Sequence, residues 1–368
     1  MSRPDNEATT ALRLALARQL TNDGVLRSTG WRKAVEETPR HLYVPVFYRQ
    51  ANGAWEPVTA ESPGYFDAVY GDNALTTQVT DGHSTSSSSQ PSLMLDMLEA
   101  LDVEDGDKVG EGATGTGYNS GLICHRVGDR NLITIEVDAT LARIAEARLR
   151  ACGYTPRVVA GDARDGFPDD FPLDRLIVTC GFDTFPYALA KGVRRGGVVV
   201  CPLGRGTARL VMSGNGVLEG RFLPGGSYFM KARAAGAVGR VPYPHDAGPF
   251  TARTAGTDIA LLRGEMFRFV GSLALGEFSD ATELDHDGSA VGYRVWTPDG
   301  SLAHVEGGTV RQAGPRKLWD VLELAHTWFQ SHGNPSRDRF GTTISPHRQF
   351  HWLDEPGCRV PSGAGAAD

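Results

Sequence analysis

Five cysteines (Cys124, Cys152, Cys180, Cys201 and Cys358) are scattered along the 368-residue chain, and no two of them form a CxxC pair. An odd, dispersed set argues against a disulfide framework and a cysteine-built zinc site, and reads as reduced thiols in a cytoplasmic protein. Lys/Arg-rich runs are missing too. The net charge is -7 and the basic residues are almost all arginine, so a nucleic-acid partner finds no support. No apolar run approaches membrane-spanning length. Charges flank the short apolar stripe of the opening MSRPDNEATTALRLALARQL, so neither a membrane span nor a signal peptide is expected. His347 and His351 stand four apart without an obvious third ligand; they read as structural, and no metal site is expected. With 40% hydrophobic residues, the chain can still bury a substantial core.

What is present has a clear order. Helices are expected at 7–20 and 28–38, short strands and loops from Tyr43 to Asp81, and a helix at 90–101 with Pro91 in its first turn. From Lys108 onward, strands at 108–111, 132–137, 157–161, 175–180 and 197–204 alternate with helices at 117–126, 139–151 and 186–191. That rhythm predicts an α/β fold with a mostly parallel, doubly wound sheet. After about residue 235 the alternation stops. RAAGAVGRVPYPHDAGPF reads as a linker or covering loop, and 250–356 as a separate α+β extension. Strands are expected there in FRFVGSLAL, GYRVWTP, FGTTISP and FHWL, and a helix in RKLWDVLELAHTWFQSHG. Trp328, Phe329, Phe340, Phe350 and Trp352 read as its core.

The chemistry is concentrated in VGEGATGTGYNSG, residues 109–121, where a strand runs through a glycine turn into a helix. Gly112, Gly115, Gly117 and Gly121 do not fit the G-x-G-x-x-G of a dinucleotide site. Glu111 followed by A-T-G-T-G instead suits a nucleoside carrying a sulfonium and an amino-acid tail. Glu136, at the end of the next strand, can accept both ribose hydroxyls, with Asp138 as its rival. Asp162 and the Ala163 amide, after the third strand, can read an adenine edge. Each signal alone is weak; the three in chain order point to a nucleoside.

At these residues the sequence resembles the protein-L-isoaspartate O-methyltransferase family. VGEGATGTGYN matches its glycine motif, and SSSSQP places Ser89 two residues before Pro91. TPRHLYVP, VYGDNALTT, LDRLIVTCGFDTFP and RRGGVVVCPLG match further landmarks over about residues 31–210. More narrowly, STSSSSQPSLMLDMLEALDV, GTGYNSGLICHRVGD and RFGTTISPHRQFHWLDEP resemble the methyltransferases associated with ATP-grasp peptide maturases, which make graspetides (cross-linked ribosomal peptides). In that subfamily the long C-terminal extension is expected, and it is taken to be absent from ordinary repair enzymes.

The resemblance implies a class I methyltransferase fold with S-adenosylmethionine as cofactor. Residues 1–80 would form an N-terminal helical cap and substrate-side segment, and 81–235 the cofactor domain. Residues 236–356 would be a peptide-recognising extension, and 357–368 a disordered tail. Cofactor contacts are expected from Ser87, Glu111, Ala113, Thr114, Gly115, Thr116, Gly117, Tyr118, Asn119, Glu136, Asp162, Ala163 and Thr179. Tyr70, His83, Ser88 and Cys180 are expected on the substrate side, with Ser89 as the catalytic residue. Gly110, Gly112 and Ala113 depart from the family pattern in the first strand and turn.

An aspartate carboxylate is already ionised at neutral pH, so methylating it needs positioning rather than a general base. Ser89 can donate to one carboxylate oxygen and aim the other at the methyl group. The implied product is a methyl ester on an aspartate of a cyclised peptide, which then collapses to an aspartimide. One rival is isoaspartate repair; another is a peptide-binding protein with little turnover.

Overall fold

The computed structural model describes residues 5–234 and 241–363. Its centre is a nine-stranded sheet. Five strands are parallel, in the order Arg157–Ala160, Leu132–Glu136, Val109–Gly112, Leu173–Val178 and Val193–Leu203. Antiparallel strands Gly206–Met212, Leu218–Gly226, Phe340–Ile344 and Gln349–Leu353 continue it. The doubly wound half is as expected, and helix Ala139–Ala151 has the expected ends.

Both faces of the sheet are covered, and its inner strands Leu132–Glu136 and Leu173–Val178 are buried at every position. Successive side chains alternate between two cores. Ile177, Val198 and Val200 join a cluster with Leu16 and Trp31 from the N-terminal helices and Leu95 from helix Pro91–Leu101. Leu176, Val178, Val199 and Cys201 join another with Phe269, Leu273, Trp319 and Leu322 from the C-terminal part.

Helices Glu7–Asn22 and Thr29–Glu37 form the N-terminal cap, started by Asn6 and Ser28 side chains. Between this cap and the central sheet the chain builds a four-stranded antiparallel sheet, ordered Ala54–Thr59, Val46–Ala51, Leu75–Thr80 and His83–Ser88. A five-stranded antiparallel sheet, Thr251–Thr254 with Ser279–Leu284, Ala290–Trp296, Leu302–Glu306 and Thr309–Ala313, forms the bulk of the C-terminal part. No described helix is long and apolar enough to cross a membrane.

Four expectations need correction. FRFVGSLAL is not a strand; it lies in helix Glu265–Leu275. Short apolar runs suit either state, and here Gly271 lets the helix approach Leu322 of helix Leu318–Ser331, with only 3.0 Å to spare for a Cβ. The expected helix at 186–191 shrinks to a 3-10 turn, Tyr187–Ala190. The extension is not separate, since strands Phe340–Ile344 and Gln349–Leu353 pair onto the central sheet. Nor is the tail from 357 disordered throughout: Val360 is buried in the core and its amide donates to the His351 carbonyl at 2.9 Å. Residues 364–368, and 235–240 of the expected linker, lie outside the described residues.

Candidate active site

A cavity of about 620 Å³ opens at the carboxyl ends of the parallel strands, where the strand order reverses beside Val109–Gly112. Open α/β sheets bind ligands at that position, and the volume is that of a ligand site.

Its floor is the glycine turn. Strand Val109–Gly112 is fully buried, and its glycines have a packing reason. A Cβ at Gly110 would stand 2.7 Å from Leu173 Cδ1, and one at Gly112 would stand 3.2 Å from Val178 Cγ1. The neighbouring strand's bulk occupies the room that larger residues would need. Beyond the strand the backbone turns left-handed at Ala113 (φ 70°), Gly115 (φ 56°) and Gly117 (φ 85°). Ala113 is the costly one, because its methyl disfavours that region. It is held there from both sides: its amide donates to the Ile135 carbonyl at 2.9 Å, and its carbonyl accepts from Thr179 Oγ1 at 2.8 Å. Gly117 does not line the cavity; its missing Cβ lets helix Tyr118–Val127 approach Ala145.

Glu111 also lies outside the cavity lining. It is fully buried beneath the turn, where its carboxyl accepts from Asn119 Nδ2 and Thr134 Oγ1, each at 2.7 Å, and from Ser120 Oγ. Burial raises its pKa, against the lowering effect of these donors. Its expected cofactor contact is therefore corrected to a support beneath the loop. Thr114 joins the same network through Thr134, at 2.6 Å. Asn119 does line the cavity, and its buried Oδ1 has no partner among the described residues.

Glu136 faces the cavity, one oxygen accepting the Gly115 amide at 2.8 Å and the other the Asp138 amide at 3.1 Å. A carboxylate has about four acceptor positions, so capacity remains for two hydroxyls. Asp138 is excluded as its rival. It caps helix Ala139–Ala151 through the Thr140 and Leu141 amides and takes the Gln78 side chain at 3.0 Å. Asp162 and Ala163 line the cavity, but both Asp162 oxygens are engaged by Arg164, a partner the sequence reading missed. That guanidinium holds the Asp162 carboxyl below its ordinary range.

The acceptor side is built by strand His83–Ser88 and its continuation. Arg40, from the PRHLYVP segment, is completely buried without a carboxylate in contact. It donates to the carbonyls of Val69 (3.0 Å), Asn73 (3.0 Å) and Ser89 (2.9 Å), and to Ser88 Oγ at 3.2 Å. Burial lowers its pKa to about 10, so it stays charged at neutral pH. Ser88 also lines the cavity, and its hydroxyl is taken up by Arg40 in holding the loop. Ser89 and Ser87 line the cavity, and the Ser89 hydroxyl has no hydrogen-bond partner among the described residues. Asp72 fixes the next turn by accepting the Ser92 amide at 2.8 Å and Gln90 Nε2 at 2.9 Å. A lone arginine among the apolar residues of TPRHLYVP was the available signal for this clamp.

Two more substrate-side residues are displaced. Tyr70 is buried, its hydroxyl 2.6 Å from His41 Nδ1, and His83 is exposed at the hairpin end of its strand; neither lines the cavity. Cys180 does, and burial pushes its thiol up to about 12, which keeps it protonated. Opposite the serines runs a wall that sequence reasoning missed, residues 225–233. Met230 and Ala232 clasp Gly181 through backbone hydrogen bonds of 2.8 and 2.9 Å, and Arg233 reaches the Thr85 carbonyl at 3.1 Å.

Comparison with known proteins decides what kind of site this is. The family model "Protein-L-isoaspartate(D-aspartate) O-methyltransferase (PCMT)" matches residues 12–216. The chain belongs to this family. It is thus an S-adenosylmethionine-dependent carboxyl O-methyltransferase by family. The protein-L-isoaspartate O-methyltransferase of Ignicoccus hospitalis is 32% identical over 190 residues, 51% of this chain and 80% of that relative. The enzyme of the same name from Maricaulis maris is 33% identical over 173 residues, 47% of this chain and 70% of its own. A solved structure named protein-L-isoaspartate O-methyltransferase shares the fold, with a TM-score of 0.55 at 21% identity, covering 93% of this chain and all of its own. An alignment over 93% of the chain reaches into the C-terminal part, so the expectation that enzymes of that name lack such an extension is corrected.

Proposed function

We propose that this methyltransferase esterifies an aspartate side chain in a ribosomally made, cross-linked peptide of the graspetide type, in the cytoplasm, and that the ester then closes to an aspartimide. The observation that carries this reading is the placement of Ser89. Ser89 lines the cavity, its hydroxyl without a partner among the described residues, on a backbone that Arg40 holds by the adjacent carbonyl.

The cavity residues fit S-adenosylmethionine. Glu136 has spare acceptor capacity for the ribose, and the orphaned Asn119 Oδ1 with the 113–116 backbone can meet the amino-acid tail. Asp162 and Ala163 would take the adenine side, with Arg164 shifting or sharing Asp162. Ser87 and Thr116 would close the loop side, with Tyr118 alongside them. When bound, the cofactor supplies an electrophilic methyl group.

The protein's own contribution is then positional. The acceptor carboxylate enters ionised, and Ser89 donates to one oxygen so that the other is free to attack. Neither Cys180, held as a thiol, nor the distant His83 is needed as a base. In the ester, the nitrogen of the following peptide bond closes on the side-chain carbonyl. Methanol leaves, and the peptide ends one water lighter than it began.

A cross-linked peptide has already lost chain entropy, so it can use fixed walls at lower cost than its linear form. Residues Gly24–Arg27 on one side and 225–233 on the other provide such walls. The test is mass spectrometry on cyclised, linear and generic isoaspartyl peptides. The cyclised peptide should gain a methyl ester and then lose methanol. Equal rates on linear and cyclised forms, or a preference for the isoaspartyl peptide, would overturn the proposal. The second reading, isoaspartate repair, is favoured by the names of the relatives and by the extent of the structural alignment.

A further inference from the structure

A second cavity, of about 560 Å³, adjoins the first and shares its wall residues Tyr228, Phe229, Met230, Lys231 and Arg233. From that wall it runs to strand Ser279–Leu284 and Trp296 of the C-terminal sheet. A smaller hollow of about 140 Å³ continues past Arg205 and Asp280 to Arg268. Tyr228, Arg268 and Asp280 all lie beyond the residues matched by the family model, so the family assignment gives this space no role.

Its electrostatics are lopsided. Lys231 is neutralised by Asp183. Arg205 meets Asp280 through one nitrogen at 3.3 Å, while the Tyr293 hydroxyl donates to the same oxygen at 3.1 Å. The Arg268 guanidinium has no ion-pair or hydrogen-bond partner among the described residues; it lies 5.8 Å from the Tyr228 ring centre, and that of Arg205 lies 5.7 Å from it. Tyr228, close to both, is 55% exposed. A partly solvated pair with a single contact is readily exchanged for another carboxylate. In a protein of net charge -7, a local excess of cations beside a substrate cavity selects for negative charge at that spot.

We propose that this groove binds acidic side chains flanking the methylated aspartate of the acceptor peptide, with Arg268 and Arg205, both beside Tyr228, as the carboxylate receptors. The inference rests on the reading that the substrate is a peptide. The same side chains would draw an acidic segment along the wall while the target aspartate occupies the first cavity. Guanidinium groups suit this work because they pair with carboxylates through two parallel N–H donors.

The test uses two synthetic peptides, both cyclised by side-chain cross-links and with one free target aspartate each, one followed by glutamates and the other by glutamines. Binding is read by fluorescence anisotropy and methylation by mass spectrometry, on the full protein and on Arg268→Glu. The full protein should bind and turn over the glutamate peptide about tenfold better, and added salt should erode the preference. Arg268→Glu should abolish the preference and leave turnover of the glutamine peptide unchanged. Equal handling of the two peptides by the full protein, or a preference surviving in Arg268→Glu, overturns the groove and leaves the methylation reading standing. Charge-selective binding that Arg268→Glu removes, without methylation of either peptide, keeps the groove and sinks the acceptor assignment instead. An equal loss on both peptides in Arg268→Glu shows a structural role for Arg268 and overturns the proposal.

Discussion

Arg40 Nη2 donates to the Ser89 carbonyl at 2.9 Å, so a fully buried guanidinium fixes the backbone of the residue proposed to orient the acceptor. Removing the guanidinium leaves several buried carbonyls unpaired at about 1–3 kcal/mol each, so Arg40→Met should destabilise the fold by at least that much. Arg40→Lys keeps the charge but loses the fork. It should lower methyl transfer by about tenfold while S-adenosylmethionine affinity, measured by calorimetry, holds within about twofold. Equal losses in affinity and rate would show that Arg40 supports the whole cavity rather than the acceptor loop.

Ser89→Ala should slow methyl transfer and leave cofactor binding nearly intact, because the hydroxyl is assigned to the acceptor alone. A rate within about twofold of the parent, well under 1 kcal/mol in the barrier, removes Ser89 from the mechanism.

For Glu136→Ala, the expected loss in cofactor affinity is about 1.5–3 kcal/mol, the range for hydrogen bonds to a charged group. Part of that loss comes from the Gly115 amide, which also depends on this carboxylate. Titration by calorimetry gives the answer directly, and an unchanged constant would contradict the ribose assignment.

Ala113→Gly should stabilise the fold. A left-handed conformation costs an alanine roughly 1–2 kcal/mol, and glycine's extra freedom in the unfolded chain takes back roughly 0.5–1 kcal/mol. The net gain should be about 0.5–1 kcal/mol in denaturant unfolding, with cofactor affinity equal or higher. If the parent binds S-adenosylmethionine poorly and Ala113→Gly restores binding, the strained turn limits the enzyme; the rival of a peptide binder with little turnover predicts no such rescue.

Burial against Phe222 lowers His351 to about 4 from an ordinary value of 6.5, and its Nδ1 has no partner to hold a proton. The unfolded chain therefore takes up this proton first as pH falls. Stability from the neutral ring is complete above about pH 6.5 and is lost between there and pH 4, by up to about 3 kcal/mol. Urea unfolding of the parent and of His351→Leu should show a parent curve that falls more steeply over that window. Parallel curves would mean that the ring is solvated.

Some of this was legible before any coordinates. Glu136 was singled out only in combination, as the strand-end acid between the glycine turn and Asp162, and the structure places it on the cavity; helix Ala139–Ala151 shows its cap at Asp138. The separate roles of the serines were harder. Ser87, Ser88 and Ser89 all line the cavity, and what sets Ser88 apart is the Arg40 contact of its hydroxyl; pairing register decides this, and that register shifts twice between strands Leu75–Thr80 and His83–Ser88. Residues 225–233 carry no periodicity, and their place follows from backbone contacts with Gly181, far away in sequence. Glu111 misled for a simple reason: a carboxylate at a strand end serves a buried network as readily as a ligand.

Strands Phe340–Ile344 and Gln349–Leu353 have one more consequence, in the order of synthesis. As the chain leaves the ribosome, Leu218–Gly226 is the outermost strand of an otherwise complete sheet, its open edge a template for pairing with other chains. Only the last part of the chain covers it, after the five-stranded sheet and its helices have emerged. A version cut at residue 235 would keep every cavity residue assigned to the cofactor and still leave that edge bare. It should accumulate as aggregate rather than as a small, active enzyme.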